Sequence, residues 1–427
     1  MKQNCLILNN PQSLVTDYRW IDKIAKRIFL SKFKQLSTGY LVVIEGKDIH
    51  SFGDSNDALQ SSITVFNPSF YSDVIFGGTV GSGEAYMAKN WNCDELTKLV
   101  QIILKNEHVL NSLEGGFGKL VMPLHKAFHF LHRNSLTGSR KNIEAHYDLG
   151  NDMFEQFLDP TMMYSSGVFE NENMSMEEAS IAKLDRICKK LQLTENDHVL
   201  EIGTGWGGFA IYAAQNYGCK ITTTTISQQQ HDYASDKISQ LGLADKITLL
   251  CEDYRQLTGK YDKIVSIEMI EAVGHAYYKT YFKHCSELLK DDGMMLLQSI
   301  TIADQRYHIA KKEVDFIQRY IFPGGCLPSV EVIAKTVSKH TDMRFFQLED
   351  IGPDYAQTLV KWREKFFNNI LTIKDLGYSD TFIRMWDFYL CYCEGGFKER
   401  GIGTIQLLLT KPKTRRNACI SVSTAIK

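Results

Sequence analysis

A strand followed by a glycine-rich turn is the feature that most constrains what this chain can form. Residues Val199 to Ala210 read VLEIGTGWGGFA, which indicates an apolar strand, a turn with four glycines and the start of a helix. Because glycine has no Cβ, such a turn lets backbone N–H groups come close to a ligand. The pattern therefore predicts a binding turn at the carboxyl end of a strand in an α/β sheet.

The acid before this turn distinguishes between ligands. Glu201 stands just before the first glycine, as is typical of S-adenosylmethionine sites, where an acid holds the cationic amino-acid end of the cofactor. A nicotinamide dinucleotide site instead needs an acid about 20 residues further on. No Asp or Glu occurs between Phe209 and His231, and the next strand ends in threonines and a glutamine run. The sequence thus favours S-adenosylmethionine over a dinucleotide or a purely structural turn.

Composition sets broad limits on the class of protein. The chain has 427 residues, a length that suits two domains. Its net charge is −2, so it carries no overall basic signature for binding nucleic acid. It has no apolar run near the ~18 residues of a membrane span, and its first residues do not read as a signal peptide. Its ten cysteines include no CxxC pair, which predicts reduced thiols in a cytoplasmic protein.

Alternating strands and helices from Glu177 to Met295 predict the main domain. This order predicts an α/β fold with a parallel, doubly wound sheet. A mainly helical region, 304–400, follows with one strand near 343–349, and Ile402 to Thr410 reads as a late strand that pairs antiparallel. The predicted strands of the parallel part are 198–203, 219–226, 247–252, 263–269 and 293–300.

The first part of the chain predicts a smaller α+β unit. Helices are expected from Trp20 to Phe33 and from Asn92 to Leu110, with short strands and tight glycine turns between them. The strand-like runs are Leu41 to Glu45, Ile63 to Phe66 and Val74 to Phe76, and the turn glycines are Gly77, Gly78, Gly81 and Gly83. The predicted domain boundaries are 1–115, 116–143, 144–412 and 413–427, the last being a flexible tail.

A basic amphipathic segment joins the two predicted parts. Residues Gly115 to Ile143 contain no acid but five Lys or Arg residues, and apolar residues recur there at helical spacing. Such a segment either docks on an anionic membrane surface or is a linker helix whose charges face water. His125, His129 and His132 also share a helical stripe, but a metal site is the less favoured interpretation, and no metal is predicted.

Polar residues follow several predicted strands in turn. Strand three ends in Asp253 and Tyr254, strand four is followed by Glu271, and strand five ends near Gln298 and Ile300. The carboxyl ends of parallel strands meet at one edge of a sheet, where α/β proteins bind their ligands. These residues are therefore expected to belong to one site.

Longer motifs resemble one enzyme family. They are HYDLGNDMFEQFLDPTMMYSSGVF (146–169), the glycine turn, TTISQQQ, EDYR, EMIEAVG, YIFPGGCLPS (320–329), DYAQTLVKW (354–362) and GGTVGSGEAYM (77–87). Over nearly its whole length the chain resembles the cyclopropane-fatty-acyl-phospholipid synthases and the related mycolic acid cyclopropane synthases. The resemblance implies a Rossmann-like, S-adenosylmethionine-dependent methyltransferase domain over 144–412. It also implies a smaller N-terminal α+β domain over 1–115 that binds lipid.

The resemblance implies a role in cofactor binding for residues from four parts of the sequence. Tyr147, Tyr164 and Ser165 would line the cofactor pocket, and Glu201, Gly203 and Gly205 would hold the amino-acid end of the cofactor. Thr225, Ile226 and Gln230 would contact the ribose and nearby atoms, and Asp253 and Tyr254 would flank the adenine.

The resemblance also implies the reaction. A cis double bond of an unsaturated phospholipid acyl chain attacks the methyl group of S-adenosylmethionine, a base removes a proton from that carbon, and a cyclopropane ring closes. In the family the base is a bound bicarbonate, held by a Cys, Glu, His, Ile and Tyr set. The matching residues here are Ser166, Glu271, Gln298, Ile300 and Tyr355.

Two of these five positions depart from the family pattern, since Ser166 replaces the Cys and Gln298 replaces the His. Ser and Gln can still donate hydrogen bonds to an anion. A neutral Gln, however, cannot relay a proton as His can. A methylated product without a ring, branched or methylene-bearing, is therefore an alternative outcome.

The family reaction sets the expected partners and location. A phospholipid substrate requires docking on a bilayer with unsaturated acyl chains, so the protein is expected to be cytoplasmic and bound peripherally to the inner face of the membrane. The resemblance also suggests a homodimer, and no nucleic-acid partner is expected. A small-molecule methyltransferase and a non-catalytic lipid-binding protein are the other function classes. The intact glycine turn and Glu271 argue against the last of these.

The basic segment generates a first prediction. Replacing Lys119, Lys126 and Arg133 by Gln should weaken binding to anionic vesicles at low salt, because each basic residue near such a surface contributes about 1 kcal/mol. Activity on detergent-dispersed lipid should stay near normal. Vesicle co-sedimentation measures the effect, and identical binding by the triple variant and the parent would assign docking to another surface.

Overall fold

The computed structural model of the protein describes residues 17–106 and 150–417. These residues form two compact units, each built from separate stretches of chain. The first unit comprises 17–106, 308–324 and 355–402, and the second comprises 150–307, 325–354 and 403–417. The predicted basic segment 116–143 and most of the predicted tail lie outside the described residues. The functional domains and boundaries assigned from the sequence stay a prediction.

The first unit contains a four-stranded mixed sheet. Its strands are β1 (Tyr40–Glu45), β2 (Asp48–Gly53), β3 (Gln60–Val65) and β4 (Trp91–Cys93). They lie in the order β2-β1-β3-β4, with β1 antiparallel to β2 and parallel to β3, and with β3 antiparallel to β4. The sheet confirms strands at two of the three predicted runs, and β2 was not predicted because its sequence, DIHSFG, is mostly polar.

The third predicted strand, Val74 to Phe76, is wrong, because these residues lie inside the helix Ser69–Met87. The glycines that follow it are not a set of tight turns. Only Gly78, with φ 55°, breaks the helical backbone. A Cβ on Gly81 would lie 2.1 Å from the Asp73 carbonyl oxygen, and one on Gly83 would lie 2.3 Å from the Phe316 ring. These two glycines therefore permit close packing.

The helices of the first unit surround its sheet. The predicted helix from Asn92 begins later than expected, because Trp91–Cys93 pairs as a strand and the helix runs over Leu96–Lys105. The predicted helix Trp20–Phe33 is confirmed. The other helices that lie wholly or mainly in this unit are Ser69–Met87, the π-helical turn Ile317–Ile321, Gly352–Asn368, Ile370–Asp375 and Asp380–Lys398.

A buried arginine ties the helix Asp380–Lys398 to the N-terminal part of the first unit. Arg384 is 1% exposed, and its guanidinium donates to the carbonyl oxygens of Tyr86 (2.5 Å) and Trp91 (3.0 Å). It also lies 3.7 Å from the centre of the Tyr86 ring, while the Tyr86 hydroxyl donates to Asp387 at 2.8 Å. These contacts, made by residues about 300 positions apart, explain why the late helices pack with the early sheet.

The second unit is built on a seven-stranded mixed sheet. Its strands are β5 (His198–Ile202), β6 (Lys220–Thr224), β7 (Ile247–Leu250), β8 (Tyr261–Ile267), β9 (Leu289–Ile302), β10 (Arg344–Asp350) and β11 (Ile402–Thr410). They lie in the order β10-β11-β9-β8-β5-β6-β7. The pairs from β9 to β7 are all parallel, and β10 is antiparallel to β11. This confirms the predicted α/β sheet with a late antiparallel strand.

The parallel strands are buried on both faces, as a doubly wound sheet requires. Neighbouring residues along one strand point to opposite faces. Thus Val199 belongs to one apolar core and Leu200 to the other, and Leu296 and Leu297 divide in the same way. Strands of this kind have no polar face, which is why they appear in the sequence as continuous apolar runs.

Helices cover both faces of this sheet. Those that lie wholly or mainly in the second unit are Asn151–Glu155, Met176–Leu191, Gly208–Tyr217, Gln228–Gln240, Tyr278–Leu288, Asp304–Ala310 and Val330–His340. Short 3-10 turns occupy Tyr254–Gln256, Ile270–Ala272 and His275–Tyr277 at the edge where the parallel strands end. Within residues 17–106 and 150–417, no helix is long and apolar enough to cross a membrane.

The buried arginine generates a stability prediction. Arg384→Met should lower the free energy of unfolding by about 3 kcal/mol, because two buried carbonyl oxygens lose their donor. Urea denaturation measures the loss. Lys374→Met, which removes an exposed ion pair with Asp380 (3.1 Å), is the control and should change stability by less than about 1 kcal/mol. Equal losses in the two variants would contradict the role given to Arg384.

Candidate active site

The glycine turn after β5 is pinned to the end of β6. The backbone N–H groups of Gly203 and Thr204 both donate to the Thr224 carbonyl oxygen at 3.0 Å. Gly203, Gly205 and Gly207 all have positive φ, of 100°, 53° and 92°, which favours glycine at each position. A Cβ on Gly205 would meet no atom of residues 17–106 and 150–417 within 4 Å. The turn therefore faces open space at Gly205, which is what a ligand-binding turn requires.

The predicted acid Glu201 is buried at the end of β5. It is 2% exposed, and its Oε2 accepts a hydrogen bond from the Thr223 hydroxyl at 2.6 Å. That hydroxyl also contacts the Thr204 hydroxyl at 2.7 Å. Burial raises the pKa of Glu201 to about 8, against the opposing effects of Thr223 and the Lys183 ammonium. A cationic ligand group beside Glu201 would stabilise its ionised form.

Lys183 is a residue of this site that the sequence analysis did not identify. It is fully buried in the helix Met176–Leu191, and its ammonium donates to the predicted pocket residue Ser165 at 2.8 Å. Burial lowers its pKa to about 8, while the carboxylates of Glu268, Asp159 and Glu201 favour the charged form. The sequence signal was a lysine on the apolar face of a helix, four residues after Ala179 and four before Ile187.

The ends of β6 and β7 bring further predicted residues to the same edge. The Thr225 hydroxyl donates to Gln230 Oε1 at 2.8 Å, and Ile226 lies next to them in the chain. After β7, Arg255 binds both carboxylate oxygens of Asp253, at 2.7 and 2.6 Å. The Tyr254 hydroxyl is buried without a hydrogen-bond partner among the described residues, as expected of a group that forms a hydrogen bond with a bound ligand.

The aromatic part of the predicted pocket is described only in part. The Tyr164 ring packs edge-on against Phe154 at 5.2 Å and against Phe157 at 6.1 Å. Ser165, the next residue, accepts the hydrogen bond from Lys183. Tyr147 lies outside the described residues, as do the three histidines of the basic segment, so their roles stay predictions.

Glu271 lies on the 3-10 turn after β8. Its Oε1 accepts from the Ser299 hydroxyl at 2.9 Å and from the Ile300 backbone N–H at 2.5 Å, both on β9. Its Oε2 is buried without a partner among the described residues. Burial, together with the negative charge of Glu268, raises the pKa of Glu271 to about 8.

Glu268 is the second functional candidate that the sequence analysis missed. Its Oε1 accepts hydrogen bonds from the Ser166 backbone N–H at 3.0 Å and from the Gln298 side-chain amide at 2.8 Å. Its own backbone is held in the left-handed region, with φ 50°. The structure thus brings Ser166 and Gln298 together, as predicted, but around a carboxylate of the protein. The signal was the first acid of SIEMIEAVG, which precedes Glu271 by three residues.

Tyr355 belongs to the first unit. Its ring is buried, stacks on Phe397 at 4.4 Å and meets Trp362 edge-on at 6.1 Å. Its predicted role beside Glu271 stays a prediction.

Comparisons with known proteins show the family to which the chain belongs. The family model of mycolic acid cyclopropane synthetase matches residues 134–407. The chain is 35% identical over 352 residues to tuberculostearic acid methyltransferase UfaA1 of Mycobacterium tuberculosis, covering 78% of this chain and 79% of that protein. It is 37% identical over 367 residues to cyclopropane-fatty-acyl-phospholipid synthase of Escherichia coli K12, covering 83% of this chain and 89% of that protein.

Solved structures give the same result. The cyclopropane synthase MmaA2 from Mycobacterium tuberculosis is 30% identical, with a TM-score of 0.60 over 64% of this chain and 98% of that one. The mycolic acid cyclopropane synthase CmaA1, complexed with S-adenosylhomocysteine (SAH) and CTAB, gives the same values. Fold and relatives together define an S-adenosylmethionine-dependent methyltransferase. The chain belongs to the mycolic acid cyclopropane synthetase family, which confirms the resemblance and the cofactor predicted from the sequence.

The open space at Gly205 generates a binding prediction. We expect S-adenosylmethionine to bind in the micromolar range, and Gly205→Val should weaken this affinity by more than about 10-fold, because the branched side chain would occupy the space in which the ligand is expected to bind. Calorimetry measures the affinity. Gly242→Val is a matched control, since Gly242 also has positive φ (66°) and open space at its Cβ. Both variants carry similar backbone strain, so equal affinities would remove the basis for this site.

Proposed function

We propose that the protein transfers a methylene unit from S-adenosylmethionine to the cis double bond of an unsaturated phospholipid acyl chain and closes a cyclopropane ring. The observation that carries this proposal is the pair of carboxylates, Glu268 and Glu271, after β8. They lie at the same sheet edge as Glu201 and the glycine turn, since β8 and β5 are parallel neighbours. Negative charge there suits a reaction in which positive charge develops on carbon.

The residues at the end of β5 fit the cofactor. When bound, S-adenosylmethionine supplies an electrophilic methyl group on a sulfonium sulfur. Glu201 would hold its amino group, and the positive-φ glycines would let its amino-acid end approach the backbone. Thr225 and Gln230 would bind the ribose, and the unpartnered Tyr254 hydroxyl would face the adenine side. The Asp253 carboxylate, which binds the Arg255 guanidinium, would also flank the adenine.

The remaining work of the site is to activate a weak nucleophile. An alkene has no acidic proton whose removal by a base would make it a stronger nucleophile, and it carries no negative charge, so orientation and exclusion of water must supply much of the rate. Glu271 Oε2, which is buried and has no hydrogen-bond partner in the part of the chain that the structure describes, would place negative charge near the carbon that becomes positive. Its other oxygen is fixed by Ser299 and Ile300, so the carboxylate does not reorganise during the reaction.

The lipid substrate is supported by the relatives. The similar Escherichia coli protein is named for a cyclopropane-fatty-acyl-phospholipid product, and the CmaA1 structure contains CTAB. We therefore propose a phospholipid bilayer surface as the partner, with peripheral docking on the inner face of the membrane. The basic segment 116–143 is the proposed contact, and a homodimer is the proposed assembly.

A ring is not the only product that this chemistry allows. The similar protein UfaA1 is named as a methyltransferase and not as a cyclopropane synthase. Ser166 and Gln298 stand where Cys and His were expected, so methyl transfer without ring closure is the second candidate function. Gas chromatography with mass spectrometry of lipids from expressing cells distinguishes the two products. A small-molecule methyltransferase would leave the lipids unchanged.

Glu271 generates a pH-dependent prediction. Its pKa is raised to about 8, so its ionised form, and the rate it supports, should increase as the pH rises through that value. Glu271→Gln keeps an acceptor for Ser299 and Ile300 but removes the charge. At about pH 9 the variant should lose about 10²-fold in lipid methylation, and at about pH 6.5 considerably less. Burial raises the pKa of Tyr278 and Tyr281 well above the ordinary value, so neither phenol titrates in this range.

The measurement is the rate of methylated acyl chain formation at saturating S-adenosylmethionine. Affinity for the cofactor should be unchanged, since Glu271 is not one of the residues proposed to bind it. A variant with a rate within threefold of the parent at both pH values would exclude Glu271 from the chemistry.

A further inference from the structure

The hydrogen-bond donors that a bicarbonate would need are already occupied. The Ser166 N–H donates to Glu268 Oε1, and the Ser166 hydroxyl donates to the Gly167 carbonyl at 2.9 Å. The Gln298 amide donates to Glu268 as well, at 2.8 Å. The Ile300 N–H donates to Glu271. The residues of the second unit that were predicted to bind bicarbonate therefore do not fit it, because their donors already bind a backbone carbonyl and the carboxylates of Glu268 and Glu271.

The orientation of the Gln298 amide is set by a chain of contacts. The Lys190 ammonium, which can only donate, donates to Gln406 Oε1 at 2.7 Å. The Gln406 amide nitrogen must then face Gln298, and it donates to Gln298 Oε1 at 3.0 Å. The Gln298 nitrogen is therefore directed at Glu268, and a flipped amide would place two donors against each other. Gln298 is 0% exposed, so no solvent relieves such a clash.

The negative charges of Glu268 and Glu271 also oppose the binding of bicarbonate. Glu268 and Glu271 lie close enough for the charge of Glu268 to oppose ionisation of Glu271. A third anion beside them would add to this repulsion in a site where few charges are screened. Lys183 is the buried cation that faces Glu268, and it also balances Glu201 and Asp159. Among residues 17–106 and 150–417, Lys183 is thus the buried ammonium whose charge acts on all three of these acids.

We infer that Glu268 is a catalytic residue that replaces bicarbonate as the base for ring closure in this protein. The inference rests on the proposed function, because it concerns the proton that leaves the transferred carbon. Ser166 and Gln298, which depart from the expected Cys and His, are then the two donors that hold the Glu268 carboxylate in position.

The step balances without a further reactant. The alkene electron pair forms a bond to the methyl carbon as the carbon–sulfur bond breaks with its electrons on sulfur. Glu268 then accepts a proton from that carbon. The electron pair of the broken carbon–hydrogen bond forms the second ring bond, to the carbon that carries the positive charge. The products are a cyclopropane, neutral S-adenosylhomocysteine sulfur and a protonated Glu268, which returns its proton to solvent before the next turnover.

The test compares three forms of the full chain in decarbonated buffer under argon, with and without added sodium bicarbonate. The parent should form the ring equally well in both buffers. Glu268→Gln keeps the side-chain shape but cannot accept the proton, and ring formation should fall by about 10²-fold or more. Glu268→Gly suits the positive φ and releases the donors of Ser166 and Gln298, so added bicarbonate should restore part of its activity. The exposed-acid variant Glu287→Gln, which affects only a surface pair with Lys283, is the control for unchanged activity.

A binding readout accompanies the rates. Bicarbonate should leave the Tm of the parent unchanged and raise the Tm of Glu268→Gly, because a ligand stabilises only the protein that binds it. A parent that loses activity in decarbonated buffer and regains it with bicarbonate, or a Glu268→Gln variant within threefold of the parent, would overturn the inference. A folded parent that makes no lipid product in either buffer would contradict the proposed function itself. The Tm comparison would still decide whether Glu268 or bicarbonate occupies these donors.

Discussion

The buried ammonium of Lys183 interacts with the acids on which the proposed site depends. It donates to Ser165 and feels the charges of Glu268, Asp159 and Glu201. Burying several carboxylates without a cation would be strongly unfavourable, because each ionised group loses its hydration. Lys183 reduces this penalty for the acid at the proposed cofactor site and for the acid at the proposed reaction site. Its own pKa, lowered to about 8 by burial, reflects the cost of placing a cation there.

The sheet explains how such a cluster can form. Parallel strands buried on both faces place their carboxyl ends along one edge. Glu201 lies near the end of β5 there, and Glu268 and Glu271 follow the end of β8. The neighbouring β9 supplies Gln298, Ser299 and Ile300, which hold Glu268 and Glu271 in fixed positions. The two substitutions in the expected bicarbonate set are therefore parts of one local arrangement. They accompany a carboxylate that uses the same donors.

Much of the architecture could be predicted because it depends on local patterns. Apolar runs located the strands of the main sheet, and the glycine turn with Glu201 indicated S-adenosylmethionine as the cofactor, which the relatives confirm. The prediction for Val74 to Phe76 failed because the nearby glycines, which resemble turn signals, serve close packing against Asp73 and Phe316. That reason is visible only when the packed partners are known.

The missed site residues depend on contacts between distant parts of the chain. Glu268 is held by residues 102 and 30 positions away, and Lys183 donates to a residue 18 positions away. Nothing in the immediate neighbourhood of Glu268 distinguishes it from Glu271, since both follow the same strand. The sequence pattern placed Glu271 after the end of a predicted strand, but the roles that we propose for Glu268 and Glu271 require the three-dimensional contacts.

The central claim is that this protein adds a carbon from S-adenosylmethionine to a lipid double bond and removes one proton from that carbon. The most direct measurement uses cofactor with a fully deuterated methyl group, vesicles of an unsaturated phospholipid and decarbonated buffer. Mass spectrometry, with a cyclopropane standard for chromatography, then reports the label in the acyl chain. The account predicts a ring that retains two of the three deuterium atoms. A branched methyl group that retains all three would contradict it.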